Sequence, residues 1–202
     1  MRRICSALST AFLIGTSAAA FAETSTGDFA VYGWGARDCT TIVTMLNGDQ
    51  AAQAKGQMAE WISGYISAQN RTLDGVYDQT PIQTHYPLVS LAQNICANNS
   101  DQLFENVVYS MVEGFSALSL PASGPAVSLS HKERSVSVSE VTLLAVQNYL
   151  ISVDLLEVGS ADGQFGAKTA QALETWQENE NLTPNGLPDM VTLFLIAQKT
   201  NQ

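Results

Sequence analysis

The chain has 202 residues, of which 46% are hydrophobic, and its 9 basic and 19 acidic side chains give a formal net charge of −10. A length of this order accommodates one medium domain or two small ones. Because binding to nucleic acids and to anionic lipid headgroups depends mainly on Lys and Arg, this charge disfavours both partners and favours a well-solvated surface.

The first 22 residues have the pattern of a secretory signal peptide. Arg2 and Arg3 form a positive start, residues 7–15 are largely apolar, and residues 20–22 (Ala-Phe-Ala) offer small side chains at a cleavage position. The apolar run is too short for a stable anchor, and no later run reaches the ~18 apolar residues of a membrane-spanning helix. We therefore expect export to the periplasm and a mature chain that begins at Glu23, without a membrane anchor.

Two cysteines, Cys39 and Cys96, remain after the predicted cleavage. In an oxidising compartment two cysteines pair more often than they stay free, so we expect a disulfide between them. The alternative is a reactive thiol, which would need a neighbouring base to activate it.

Four amphipathic segments lie within residues 28–118. Asp38 is placed to cap a first helix that ends near Asn47, and Asp49 is placed to cap a longer second helix. Apolar side chains at helical spacing mark the second, third and fourth helices: Met58, Trp61, Ile62, Tyr65 and Ile66; Pro87, Leu88, Leu91, Ala92 and Ile95; and Leu103, Val107, Val108, Met111, Val112 and Phe115. This pattern predicts a four-helix bundle, in which the disulfide ties the start of the first helix to the end of the third. Met58, Trp61 and Tyr65 either belong to its core or line a partner site.

Three segments follow one another in this region: Cys39, then Trp61 to Tyr65, then Ile95 to Asn98. Their order and spacing resemble the small periplasmic HdeA-like group. That group includes acid-stress chaperones and immunity proteins that act against peptidoglycan-cleaving amidase effectors. The resemblance implies a helical periplasmic domain over residues 28–118, with a chaperone or an immunity-type inhibitor as alternative functions.

Residues 119–138 differ in composition from the segments on either side. Pro and Gly occur at positions 121, 124 and 125, Ser is frequent, and Lys132-Glu133-Arg134 lies in the middle. This composition predicts a flexible linker between two semi-independent domains. The fold class expected from the sequence is therefore all-α, with two small helical domains.

Residues 139–202 predict three further helices. Ser139 precedes the first, and an Asp162–Gly166 loop leads into a second helix from Ala167. In that loop Gly163 is suited to a positive φ, and we expect Gly166 to allow a close approach of the backbone. Asn185-Gly186 forms a turn, and Pro188-Asp189 begins the last helix.

A set of residues at fixed spacing extends over this region: Val146-Gln147, Leu150, Asp162-Gly163, Phe165-Gly166, Thr169, Ala172-Leu173, Trp176-Gln177, Leu182, Gly186, Asp189, Thr192 and Leu195. At these positions the region resembles the peptidoglycan-binding domain that is often appended to cell-wall hydrolases. One departure is the absence of the glycine that usually follows the first helix, where Val153-Asp154 stand instead. The resemblance implies a glycan or peptide ligand from the cell wall.

A wall fragment offers amides, hydroxyls and carboxylates, so a shallow site needs a few fixed polar groups and an apolar platform. The candidate ligand-binding residues are Gln147, Asp162, Gly163, Phe165, Gly166, Thr169, Trp176 and Gln177. A structural interpretation of the same residues stays open. In that interpretation Asp162 shapes its turn, Thr169 bonds within the first helical turn, and Trp176 lies in the core.

The sequence offers little for catalysis. The histidines are His85 and His131, which lie in different regions, and no H-E-x-x-H or G-x-S-x-G pattern occurs. We therefore expect neither a metal nor a cofactor, and no enzymatic activity. The leading hypothesis is a periplasmic protein attached to peptidoglycan, whose first domain engages an envelope protein; a wall hydrolase or its accessory is the minor alternative.

Overall fold

Helices dominate the computed structural model, which describes residues 29–82 and 84–201. The predicted signal peptide and cleavage position lie outside these residues. The fold given below is that of the described residues from Val31 onward. No helix in the described part of the chain is both long and apolar enough to cross a membrane.

The first four helices follow the predicted apolar spacing. They are α1 (Cys39–Leu46), α2 (Ala51–Asn70), α3 (Tyr86–Ala97) and α4 (Phe104–Glu113), and together they are called the bundle here. The carboxylate of Asp38 accepts a hydrogen bond from the Thr41 N–H at 2.7 Å, which confirms the predicted cap of α1. The predicted cap at Asp49 is wrong: Gln50 precedes α2 and makes no capping bond through its side chain.

A disulfide joins Cys39 to Cys96, with their Cα atoms 4.9 Å apart. Cys39 begins α1 and Cys96 lies at the end of α3, so the bond ties these two helix ends together as predicted. Both cysteines are fully buried within the apolar core of the bundle. The alternative of a free reactive thiol is therefore wrong.

A β-hairpin follows the bundle, where the sequence predicts a flexible linker. Strands β1 (Ala126–His131) and β2 (Arg134–Ser139) pair in antiparallel fashion and are joined by the two residues Lys132 and Glu133. Leu129 and Val138 point to the buried face, whereas the serines between the apolar residues are exposed. The all-α prediction is therefore wrong in this segment, because apolar and polar residues alternate with the period of a strand.

The last three helices are α5 (Glu140–Ser152), α6 (Ala167–Asn179) and α7 (Met190–Thr200). The hydroxyl of Ser139 accepts a bond from the Thr142 N–H at 3.0 Å, and the carboxylate of Asp189 accepts one from the Thr192 N–H at 3.0 Å. These caps confirm the predicted starts of α5 and α7.

The bundle packs directly on the last helix. Helix α3 touches α7, and the short 3₁₀ helix Ser116–Leu118 lies against α7 as well. The side-chain amide of Asn201 donates to the hydroxyl of Ser116 at 3.1 Å. The predicted arrangement of two semi-independent domains is not confirmed, since residues from both regions share one apolar core.

Candidate functional site

The loop before α6 is held by one buried amide side chain, that of Gln147 on α5. Its Nε2 donates to Asp162 Oδ1 at 3.0 Å, to the Gln164 carbonyl oxygen at 2.9 Å and to Thr169 Oγ1 at 3.3 Å. Its Oε1 accepts from the backbone N–H groups of Asp162 at 3.1 Å and of Gly163 at 2.8 Å. We call this set of contacts the first clamp.

The turn at the centre of the first clamp requires glycine. Gly163 has a φ of +71°, and a Cβ at this position would lie 2.9 Å from Cγ of Glu140. Asp162 Oδ1 also accepts from the Gln164 N–H at 2.9 Å. This backbone bond first, and then the Gln147 amide, hold the pKa of Asp162 below its ordinary value, so the carboxyl is ionised at neutral pH.

A second buried amide repeats this arrangement before α7. Gln177 Nε2 donates to Asn185 Oδ1 at 3.1 Å, to the Leu187 carbonyl oxygen at 2.9 Å and to Thr192 Oγ1 at 2.9 Å. Gln177 Oε1 accepts from the N–H groups of Asn185 and Gly186, both at 2.9 Å. We call this set the second clamp. Its glycine has a φ of +67°, close to that of the first.

The two clamps share a sequence pattern that our sequence analysis missed. Asp162-Gly163 and Asn185-Gly186 are each followed at the same distance by the threonine of their clamp, Thr169 or Thr192. The pattern [Asp/Asn]-Gly-x₅-Thr, with a glutamine upstream, could have indicated both clamps from the sequence. Asn185 was predicted only as a turn residue.

Most of the predicted ligand-binding residues are buried in these clamps or in the core. Gln147, Thr169 and Gln177 are buried, and their polar groups are bonded within the protein. Trp176 is 3% exposed, and its Nε1 donates to the Tyr149 hydroxyl at 3.3 Å. The structure gives these four side chains the scaffold role that the sequence left open, and their contact with a ligand remains a prediction.

The remaining candidates lie in the loop before α6 and differ in exposure. Asp162 and Gly166 are exposed, the backbone of Gly163 is buried, and Phe165 is half-buried against the core. The expectation for Gly166 is wrong: its φ of −136° is open to any residue, and a Cβ there would meet nothing within 4 Å. Gly166 therefore precedes α6 without a steric need for glycine.

The β-hairpin lies between the loops of the two clamps. On the β1 side, a groove of about 520 Å³ is lined by Val127–Ser130, Glu140 and Asp162–Phe165, and we call it the β1 groove. A second cavity of about 510 Å³ continues it toward α6 and shares Ser130 and Phe165. On the β2 side, residues 134–136 face the second clamp across a smaller cavity of about 350 Å³.

Contacts at the hairpin tip fix its position on α6. Glu174 accepts from Lys132 and lies 3.0 Å from His131 Nε2. The Lys132 ammonium first, and then His131, hold the pKa of Glu174 below its ordinary value. Gly186 of the second clamp leaves room for His131, because a Cβ there would lie 2.8 Å from the imidazole Cδ2. The hairpin is therefore seated against both clamps.

In the bundle, the three residues predicted either as core or as a partner site differ in their burial. Met58 is fully buried, so it belongs to the core. Trp61 is half-buried and packs beneath Gly35, where a Cβ would lie 2.2 Å from the indole. The Tyr65 hydroxyl donates to Glu105 Oε1 at 3.2 Å, and burial raises the pKa of Tyr65 to about 12. All three side chains therefore have structural contacts.

The fold brings one serine and one histidine together in the bundle, which the sequence did not reveal. Ser63 Oγ lies 2.7 Å from His85 Nδ1, and it also donates to the Ala59 carbonyl oxygen at 2.8 Å. Burial lowers the pKa of His85, and its Nε2 has no partner among the described residues. The hydroxyl is thus bonded back to its own helix, and no described carboxylate orients the imidazole as in a catalytic triad.

The described residues contain no group of three or more His, Cys, Asp and Glu side chains arranged to hold a metal ion. The expectation that the site holds no metal stays a prediction.

Comparison with known proteins identifies one region of the chain. The family model "Putative peptidoglycan binding domain" matches residues 140–195, which contain both clamps and helices α5 and α6. No curated protein and no solved structure matches the chain. The HdeA-like resemblance of residues 28–118 gains no support from these comparisons. Residues 140–195 are accordingly a peptidoglycan-binding domain, called the wall-binding domain below.

Proposed function

We propose that this protein is exported, is non-catalytic and is attached to peptidoglycan in the periplasm by its wall-binding domain. The family match over residues 140–195 carries the proposal. It is supported by the two clamps, which place the loops of that domain at the surface beside the grooves of the hairpin. In such a protein the wall-binding domain holds the chain on peptidoglycan, and the remaining helices interact with another molecule.

We further propose that the bundle engages an envelope protein. Tyr77, Tyr86 and Tyr109 are each about half exposed on the bundle and on the segment before α3. Exposed tyrosines are enriched where proteins bind one another, because they combine a large apolar ring with a hydroxyl. The Lys55 ammonium lies 4.5 Å from the centre of the Tyr86 ring and adds a cation beside that exposed ring.

Purified peptidoglycan sacculi test the attachment directly. The full chain should pellet with sacculi, and soluble peptidoglycan fragments should release it into the supernatant. Failure of the protein to pellet at low ionic strength would contradict wall binding. Release of soluble sugar or peptide from sacculi by the pure protein would contradict the non-catalytic assignment.

A cross-linking experiment tests the partner. A photoreactive residue at Tyr109 should capture an envelope protein, while the same residue at Val191 on α7, which is also exposed, should not. Equal capture from both positions would contradict a binding surface on the bundle.

A further inference from the structure

The outer edge of β1 carries backbone groups that bond to no described residue. Because the hairpin loop has two residues, His131 and Arg134 on either side of it form a hydrogen-bonded pair. Hydrogen-bonded and non-hydrogen-bonded pairs then alternate along the two strands. Leu129 is therefore bonded to Val136, and the N–H and C=O groups of Ser128 and Ser130 point away from β2. An exposed edge of this kind is a template for an extended chain.

This edge faces the β1 groove. The opposite wall of the groove is the Asp162–Phe165 loop, which the first clamp holds in place. The groove continues past Ser130 into the cavity beside α6. Five residues of β1 line the two cavities, and at ~3.3 Å per residue they cover about 13 Å, enough for a short extended peptide.

The charge of the β1 groove is acidic. Glu140 and Asp162 both line it, and no Lys, Arg or His does. Among the described residues, neither carboxylate forms an ion pair. The cavity on the β2 side differs, because Arg134 and Asp189 line it together. A ligand with an amine is therefore complementary to the β1 groove and not to its counterpart.

We propose that the β1 groove binds the peptide stem of peptidoglycan in extended form along β1, with a free amine of the stem beside Glu140 and Asp162. This proposal rests on the proposed attachment to peptidoglycan and names the part of the wall that is recognised. A stem peptide carries amide donors and acceptors along its backbone, which the groups at Ser128 and Ser130 can meet. The amides of the glycan strand lie instead on its N-acetyl side groups.

Calorimetric titration with a synthetic stem peptide tests the proposal, using one peptide with a free side-chain amine and one with the amine acetylated. The full chain should bind the free-amine peptide more tightly. The double variant Glu140→Gln, Asp162→Asn should weaken this binding about fivefold and leave the affinity for the acetylated peptide unchanged. Asn is suited to position 162, because Asn185 has the same place in the second clamp. The control Glu133→Gln removes a carboxylate from the exposed hairpin turn and should change nothing.

Proline at the edges of the hairpin tests the position of the peptide. Ser130→Pro removes an N–H that points into the β1 groove, so it should weaken the binding of both peptides about fivefold. Ser135→Pro removes the corresponding N–H on β2, since Ser130 and Ser135 are cross-strand partners, and should leave both affinities unchanged. Equal losses in the two proline variants would overturn the assignment to β1.

Sacculi separate this proposal from the attachment itself. If the full chain pellets with sacculi but neither the acidic pair nor Ser130 affects peptide binding, the groove is not the peptide site and wall attachment stands. If the full chain does not pellet, the attachment fails and this proposal fails with it. A concentration-dependent dimer in sedimentation that Ser130→Pro abolishes would also overturn it, because a second copy would then occupy the edge.

Discussion

Phe194 on α7 packs edge-on against Phe115 beyond the end of α4, with ring centroids 5.2 Å apart and an angle of 64° between the rings. Phe115 is fully buried by this contact and its neighbours. Gly114 permits the approach, because a Cβ there would lie 2.6 Å from Cε2 of Phe194. The wall-binding domain and the bundle are therefore joined through aromatic packing as well as through the chain.

Replacement of Phe194 tests this junction. Phe194→Ala should lower the free energy of unfolding by about 2 kcal/mol, less than the ~3–5 kcal/mol for a fully buried Phe, because Phe194 is only half-buried. Urea denaturation followed by tryptophan fluorescence measures the loss. The control Val191→Ala removes an exposed side chain from the same helix and should change stability by less than about 0.5 kcal/mol. Equal effects of the two substitutions would contradict a packed junction.

The two clamps should contribute similarly to stability. Gln147→Leu and Gln177→Leu each leave two backbone N–H groups without their acceptor, which should lower the free energy of unfolding by about 3 kcal/mol. Gln198→Leu, on the exposed side of α7, serves as the control. Thermal melting by circular dichroism compares all three. If either clamp variant has the same melting temperature as the control, its amide network does not hold the loop.

The disulfide should stabilise the bundle. Cys39 and Cys96 are separated by 57 positions, and a closed loop of this size corresponds to about 4 kcal/mol on the chain-entropy estimate. The Cys39→Ala, Cys96→Ala double variant should therefore unfold at a lower urea concentration, and reduction of the wild-type protein should have a similar effect. Both forms should still pellet with sacculi below their unfolding transition, since both cysteines lie outside residues 140–195. Unchanged stability in both forms would contradict the predicted contribution.

His85 should make stability depend on pH. Burial lowers its pKa in the folded state, against weaker opposing effects of Asp78 and Glu60. An unfolded histidine titrates near pH ~6.5, so the contribution of His85 is fully present above that pH and is lost as the pH falls toward the lower folded pKa. Between pH 7.5 and 5 the free energy of unfolding should fall more steeply in the wild type than in His85→Gln. Parallel curves for the two proteins would contradict this prediction.

The apolar spacing of the bundle was sufficient to predict its helices. Ile62 and Ile66 on α2, for example, lie one helical turn apart and are both buried. The hairpin was missed although its pattern is visible: serines alternate with Val127 and Leu129 in β1, and with Val136 and Val138 in β2. Serine-rich composition indicated a linker, whereas the period of two indicated strands, and the period was the better guide.

The loop of the candidate site was predicted from the sequence, but its contacts were not. Asp162 and Gly163 belong to a surface loop, as the turn chemistry indicated. The burial of Gln147 and Gln177 could not be derived from local sequence, because a buried amide needs partners that only the folded chain supplies. The position of β1 beside this loop depends in the same way on packing between segments far apart in the sequence.

The hairpin also bears on how the chain acquires its fold. Its strands are joined by two residues and can pair locally, on the ~1–10 μs timescale of isolated hairpins. Helix α5, which packs against β2, comes later in the chain, so a polypeptide emerging from the ribosome presents the hairpin before this partner is made. The outward row of serine side chains confines this exposure to one face, which reduces the risk of self-association during synthesis.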